Sequence, residues 1–308
     1  MSYSQLLEQH HRVTFANNVM LVAQQRRNPF MGAVTEMPAT GEAHSVADLI
    51  DAGEYSYAEE RSRRNPENPV SGSRRWVVMP PEIESGQYID KEDKFRAAMD
   101  PTGKIVETHT LRVTRGWADR ILGIRKQSDG SFAVTDGGIM GKAREGKTPG
   151  VGTDLPAGQI VADGASGLSI EKLRAAKLLL NKADFGLEEE NTLYAAVTPE
   201  QIDDLLAIAQ ASSNSLNAFN VEQLRTGKPT SLLGITWIVT NRLPKNSDGH
   251  RLCPIWDKNN IIAGVWQGIQ GNAWNDTSAK NLPYVHVGAM VDVVRAQDKG
   301  VVILECVE

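Results

Sequence analysis

The chain has 308 residues, of which 41% are hydrophobic, 23% charged and only 6% aromatic, with a net charge of −5. That balance excludes a disordered or fibrous protein and leaves enough apolar material for a real core. The negative sign argues against a protein whose main task is gripping nucleic acid, which needs clustered Lys and Arg to neutralise phosphates. No apolar run approaches the roughly 18–20 residues of a membrane helix. The longest candidate, Leu232 to Val239, is broken by Gly234 and Thr236. Met1-Ser2-Tyr3-Ser4-Gln5 lacks the basic start and apolar continuation of a secretory signal, so synthesis in the cytoplasm is expected. Cys253 and Cys306 are too few for a disulfide scaffold and are expected to be reduced.

In chain order, residues 1–40 mix short amphipathic pieces, such as Phe15 to Val22, with Arg26-Arg27-Asn28-Pro29, and read as an arm. Residues 41–88 set Glu54, Glu59 and Glu60 against Arg61, Arg63, Arg64, Arg74 and Arg75, with Pro66, Pro69, Pro80 and Pro81 between β-like runs. A stretch this polar cannot bury a core of its own, and a long polar insertion of this kind is usually functional or disordered. Helical texture begins at Asp90. After Asp100-Pro101, Ile105, His109, Val113, Trp117, Ile121 and Ile124 recur at spacings of four and three, one apolar stripe on a helix near 101–124. Such a helix of about twenty residues spans roughly 30 Å.

Residues 127–168 carry many glycines and short apolar bits, Phe132 to Val134 and Ile160-Val161, and predict hairpins or loops. Ser169 caps a predicted helix to Lys182 that buries Ile170, Leu173, Ala176 and Leu180. Thr192 to Val197 predicts a buried strand. Thr198-Pro199-Glu200-Gln201 then supplies a cap, a proline at the first helical position and a capping-box glutamine. Leu232 to Val239 predicts a strand leaving through Thr240-Asn241-Arg242-Leu243-Pro244, and the C-terminus predicts strands at Tyr284 to Val287, Met290 to Val294 and Val301 to Val307. The class is α+β, without the βαβ repeat of a doubly wound sheet.

Gly141-Lys142-Ala143-Arg144-Glu145-Gly146-Lys147-Thr148 matches the letters of a nucleotide-binding P-loop. A working P-loop needs a helix beginning at the lysine, whereas Pro149, Gly150, Gly152, Pro156 and Gly158 follow here. A glycine-rich surface loop is the favoured reading, with a P-loop nucleotide-binding enzyme as the alternative. The six histidines, His10, His11, His44, His109, His250 and His286, show no helical metal-ligand spacing, and His109 falls on the apolar stripe. No Gly-x-Ser-x-Gly elbow occurs, and Asp203-Asp204 and Glu188-Glu189-Glu190 are explained by a helix start and a solvated loop. No catalytic residue, cofactor or metal is therefore expected. The arginines at 61–64 and 74–75 are interleaved with glutamates and accompanied only by Trp76, which suits subunit-to-subunit ion pairing better than nucleic acid.

The order of these parts resembles the major capsid proteins of tailed bacteriophages, with the Hong Kong 97-type fold. The resemblance runs through the arm, the charged extended stretch, the long helix and the glycine-rich region. It continues through the helix at 169–182, Leu193 to Gln210, the connection from Leu224-Arg225-Thr226-Gly227 to Leu233-Gly234-Ile235, and the terminal strands. It implies an N-terminal arm at 1–40, an extended loop at 41–88 and a peripheral domain at 89–190 with strands 285–308, its spine being the long helix. Residues 191–284 would form an axial domain. It further implies intersubunit contacts by Arg61, Arg63, Arg64, Arg74, Arg75 and Trp76, and self-assembly into hexamers and pentamers of an icosahedral virion shell around non-specifically packaged double-stranded DNA. A separate scaffolding protein, a portal and a decoration protein are the further partners it suggests, with no membrane. Some relatives cross-link through a lysine in the extended loop, but residues 41–88 contain none, so that chemistry is not expected. No fused scaffolding region of about a hundred residues fits before the arm, and Met1 leads us to expect scaffolding from another chain. An encapsulin-like cellular shell protein shares the fold and is a further alternative.

Overall fold

A computed structural model describes residues 28–50, 53, 55, 68–89, 102–150, 152–187, 192–211 and 233–308. In chain order the elements are β1 (Thr35–Pro38), β2 (Ala43–Ile50), β3 (Gly72–Val78), β4 (Ile83–Tyr88), α1 (Thr102–Leu122), β5 (Ile124–Lys126), β6 (Phe132–Val134), β7 (Arg144–Glu145), β8 (Ile160–Val161), α2 (Ile170–Lys182), β9 (Leu193–Val197), α3 (Pro199–Ala211), β10 (Ile235–Val239), β11 (Arg251–Asp257), β12 (Ile261–Asp276), β13 (Leu282–Arg295) and β14 (Val301–Cys306). The chain clusters into two compact units. Among the described residues, one draws on 82–115 and 269–289, the other on 28–81, 116–268 and 290–308.

In the smaller unit β4 pairs antiparallel with the first half of β13, from Ile83↔Ala289 to Tyr88↔Tyr284. Alternate residues of β13 point inward, so Val285, Val287 and Ala289 are buried with Ile89. The stripe residue His109 is 1% exposed and shares a 2.8 Å hydrogen bond with the Ser85 hydroxyl. Burial, and then the charge of Arg112, pull its pKa below the ordinary histidine value, so the ring is neutral and packed as a core residue.

The larger unit is organised by a mixed five-stranded sheet in the order β10-β9-β11-β14-β8. β9 and β10 run parallel, from Leu193↔Ile235 to Val197↔Val239, while β11 runs antiparallel to both β9 and β14. β9, α3 and β10 thus make a single βαβ unit inside an otherwise α+β chain. Its inward side chains are continuous apolar runs, including Ala195, Ala196, Val197, Ile255, Trp256, Val301, Val302 and Leu304, as expected of strands covered on both faces. α2 packs on β14 through Leu173, Ala176 and Leu180, all 0% exposed, and Ser169 caps it by accepting from Lys172 N–H at 3.3 Å. Ile170 stays half-buried, and Lys172 is buried in its place. The Lys172 ammonium is satisfied by the carbonyls of Ser166 (2.6 Å), Gly167 (2.9 Å) and Glu305 (3.0 Å).

Two features depart from the sequence reading. The terminal run Tyr284 to Val294 is one continuous strand rather than two, and β12, which periodicity does not reveal, is 16 residues long. Within 41–88, β2 and β3 form an antiparallel hairpin, and β4 belongs to a different sheet. In the five-stranded sheet β14, from the expected peripheral part, lies between β11 and β8.

Candidate assembly surface: an anchored hairpin

β2 and β3 pair from Ala43↔Val78 to Ile50↔Gly72, with a register shift between Ser45 and Ala47 that marks a β-bulge. β7 adds a short third strand through Arg75↔Glu145 and Trp76↔Arg144. Strand alternation sends successive residues of β3 to opposite faces. Arg75 and Val77 point inward, 5% and 0% exposed, and Val77 packs in a small core with Ala39, Ala143 and Val294, flanked by Val46 and Trp266.

Arg75 is the anchor. Its Nε donates to the Ala296 carbonyl at 3.0 Å, its Nη2 to Asp298 Oδ2 at 3.0 Å, and its Nη1 lies 3.1 Å from Glu145 Oε2. The other oxygen of Asp298 accepts from Arg295 Nε at 2.6 Å. Arg295 is 0% exposed, and its remaining donors reach the carbonyls of Gly141, Ile139 and Thr153. Burial pulls the Arg295 guanidinium below its ordinary value and Asp298 opposes the shift. One carboxylate thus joins two buried guanidinium groups, tying the root of the hairpin to the β13–β14 turn and the glycine-rich segment. Val78 N–H adds a bond to the buried Asp292 carboxylate at 2.9 Å.

Arg74 faces the other way. It forms a two-pronged ion pair with its cross-strand partner Asp48 (2.5 and 2.9 Å) and lies over the Trp76 ring at 5.6 Å. Both charged groups are about half exposed, 45% and 59%, so the pair shapes the surface more than it stabilises the fold. Trp76 is half-buried and donates to the Gly146 carbonyl at 2.8 Å. Toward the far end of the hairpin Ile50 (75%), Tyr55 (78%) and Val70 (60%) are strongly exposed. Of the six residues expected to touch a neighbouring subunit, Arg74 and Trp76 share the outer face of β3. Arg75 is instead committed to its own chain, because strand alternation turns it inward. Arg61, Arg63 and Arg64 lie outside the described residues.

The P-loop reading does not survive the geometry. Residues 141–148 form β7 and its flanks, no helix starts at Lys147 or Thr148, and the Gly146 amide and carbonyl are taken up by Arg74 and Trp76.

The chain is similar over its whole length to solved phage and phage-like shells. The capsid structure of the cyanophage P-SCSP1u matches with a TM-score of 0.69 at 13% identity, covering 98% of this chain and 94% of that one. The capsid of a native GTA particle matches with a TM-score of 0.68 at 13% identity over 100% of both chains. The cyanophage Pam1 capsid gives 0.67 at 12% identity, over 97% and 96%. These likenesses define the fold as that of the Hong Kong 97-type capsid proteins. A sequence profile described as "Phage capsid protein" matches residues 7–308, and the chain belongs to that phage capsid protein family. No curated protein matches the sequence significantly. The chain is a structural subunit of a virion shell, and nothing supports a nucleotide-binding enzyme.

Proposed function

We propose that the chain is the major subunit of an icosahedral head, assembling as hexamers and pentamers around double-stranded DNA, with the β2–β3 hairpin overlapping a neighbouring subunit. The observation that carries this is the contrast between the two ends of the hairpin. Its root is pinned by Arg75 and the buried Val77, while Ile50, Tyr55 and Val70 expose apolar surface toward the tip. Exposed apolar groups on a rigidly rooted ribbon are stabilised by burial on another molecule. Arg61, Arg63, Arg64 and Arg74, with Trp76, are the residues we assign to that contact, where alternating charge would set register. Arg75 orients the hairpin instead of touching the neighbour.

In this reading the arm expected at 1–40 reaches out from the part that precedes Asn28, since β1 pairs with β12 and Ala39 sits in the core at the hairpin root; 41–88 is the extended loop, and α1 the spine of a peripheral part formed by 89–190 and 285–308. The 191–284 stretch lies toward the capsomer centre. Many modest contacts repeated by symmetry give a shell its cohesion, and a net charge of −5 suits a wall along which packaged DNA slides. A scaffolding protein, a portal and a decoration protein are the proposed further partners, and synthesis in the cytoplasm of a bacterial host precedes assembly.

The test is to replace residues 51–69 with an Asn-Gly turn, which keeps β2, β3 and β4. The shortened chain should remain folded by circular dichroism and fail to form closed shells by sedimentation and negative-stain microscopy. Shells of normal size from the shortened chain would refute the role of the hairpin.

A further inference from the structure

Three neighbouring strands of the five-stranded sheet bring an imidazole and two carboxylates together at one edge. β14 supplies Glu305, His250 immediately precedes β11 on one side, and Asp163 follows β8 on the other. One ligand-capable atom from each lies within 4.8 Å of the other two, and all three residues are half-buried. We propose that Asp163, His250 and Glu305 form a binding site for a divalent transition-metal ion, zinc in the first instance.

The donors are held in place by other groups. The Ala165 N–H donates to Asp163 Oδ2 at 2.8 Å, which leaves Oδ1 facing His250 Nδ1 at 4.0 Å. That separation is too long for a hydrogen bond. It is close to the spacing of two ligands around one ion, since metal-ligand bonds of about 2.0–2.2 Å set tetrahedral donors roughly 3.3–3.6 Å apart. The Asn246 side chain holds both the Glu305 carboxylate and the turn that carries the imidazole: its Nδ2 donates to Glu305 Oε1 at 3.1 Å, and its Oδ1 accepts from the backbone N–H of His250 at 2.9 Å. An outer group that fixes a ligating carboxylate, as Asn246 fixes Glu305, is characteristic of metal sites.

The charge balance favours a cation. Two carboxylates converge on one imidazole. The opposing charge is Lys172, whose ammonium is occupied by three carbonyls, against two carboxylates in the cluster. One imidazole nitrogen with two carboxylate oxygens suits zinc or manganese better than calcium or magnesium, which prefer all-oxygen sites, and solvent can complete the coordination. A bound ion would join β8, β14 and β11 without any covalent bond.

The full chain, as purified subunit and as assembled particles, is stripped with chelator and titrated with Zn²⁺ by calorimetry, with Mg²⁺ as the comparison. The expected result is one zinc per chain, preferred over magnesium, with a rise in melting temperature. Asp163→Asn keeps the acceptor for Ala165 N–H and so the fold, yet should weaken zinc at least about ten-fold. Asn246→Ala, acting only through its neighbours, should weaken it about 10- to 100-fold. His250→Ala should abolish binding, and His286→Ala should leave it intact. Co²⁺ in the site should show ligand-field absorption without the thiolate charge-transfer band that Cys253 or Cys306 would add. Equal zinc uptake by the wild-type chain and the Asp163→Asn and His250→Ala variants overturns the proposal. So does a wild-type chain that takes up no zinc at micromolar concentrations.

Discussion

Arg75 Nη2 meets Asp298 Oδ2 at 3.0 Å although 223 positions separate the two residues in the chain. Their side chains are 6% and 17% exposed, so this is a buried contact and not a surface pair. Replacing Arg75 with Ala leaves Asp298 and the Ala296 carbonyl short of donors and Glu145 without its partner. Breaking a buried pair from one side costs about 3–5 kcal/mol. We expect Arg75→Ala to lower the unfolding midpoint accordingly, while Arg74→Ala next to it shifts the midpoint little and acts on assembly. Chemical denaturation of the unassembled subunit separates the two.

Gly264 lies where β12 passes the hairpin root. A Cβ there would stand 2.7 Å from Val77 Cγ2 and 3.3 Å from Ala39 Cβ. Gly264→Val should destabilise by about 1–3 kcal/mol through overpacking. Combining it with Val77→Ala should recover part of that loss, a non-additivity readable in a double-mutant cycle.

Asp292 is 6% exposed, and burial, the dominant cause, raises its pKa despite the Val78 N–H bond and the charges of Arg120 and Arg144. An acid whose folded pKa lies above its unfolded value binds protons more tightly in the folded state. Its contribution therefore favours folding at low pH and is lost as pH rises through the raised value. Asp292→Asn keeps an acceptor for Val78 and removes the buried charge. The variant should melt higher than wild type at pH 7, and the difference should shrink toward pH 4, as followed by calorimetry at stepped pH.

Gln201 is 0% exposed; its Oε1 accepts from Thr198 N–H at 2.9 Å, and its Nε2 donates to Glu308 Oε1 at 2.9 Å. Burial works against the Glu308 carboxylate, yet Arg251, Lys245 and Gln201 together hold its pKa well below the usual range. Gln201→Ala strands a buried amide, at a cost of about 1–3 kcal/mol. Thermal unfolding should show a loss of that size, with the Glu308 contribution falling away as acid protonates the carboxylate.

Local signals were legible in the sequence wherever one element carries them. The stripe from His109 to Ile121 marks the buried side of α1, and Thr198 with Gln201 marks the start of α3. β12 was hidden because Gly264, Gly268 and Gly271 interrupt it and its outer half is exposed on both faces, which erases the two-residue period. Arg74 and Arg75 look alike in a charged stretch, and only the partners at 296 and 298 decide which of them turns inward. The group Asp163, His250 and Glu305 was equally silent, because no spacing links residues that become neighbours only through the order of β8, β14 and β11.

A shell built from one chain must repeat itself in places of unequal curvature. With the base of β3 locked at Arg75, the hairpin has little freedom to swivel at its origin, so any such adjustment falls further out. Bending falls on the pairs from Asp48↔Arg74 to Ile50↔Gly72, which lie beyond Arg75. A five-fold vertex and a flat facet would then differ chiefly in how far the ribbon curls beyond that residue, while the globular body is reused unchanged.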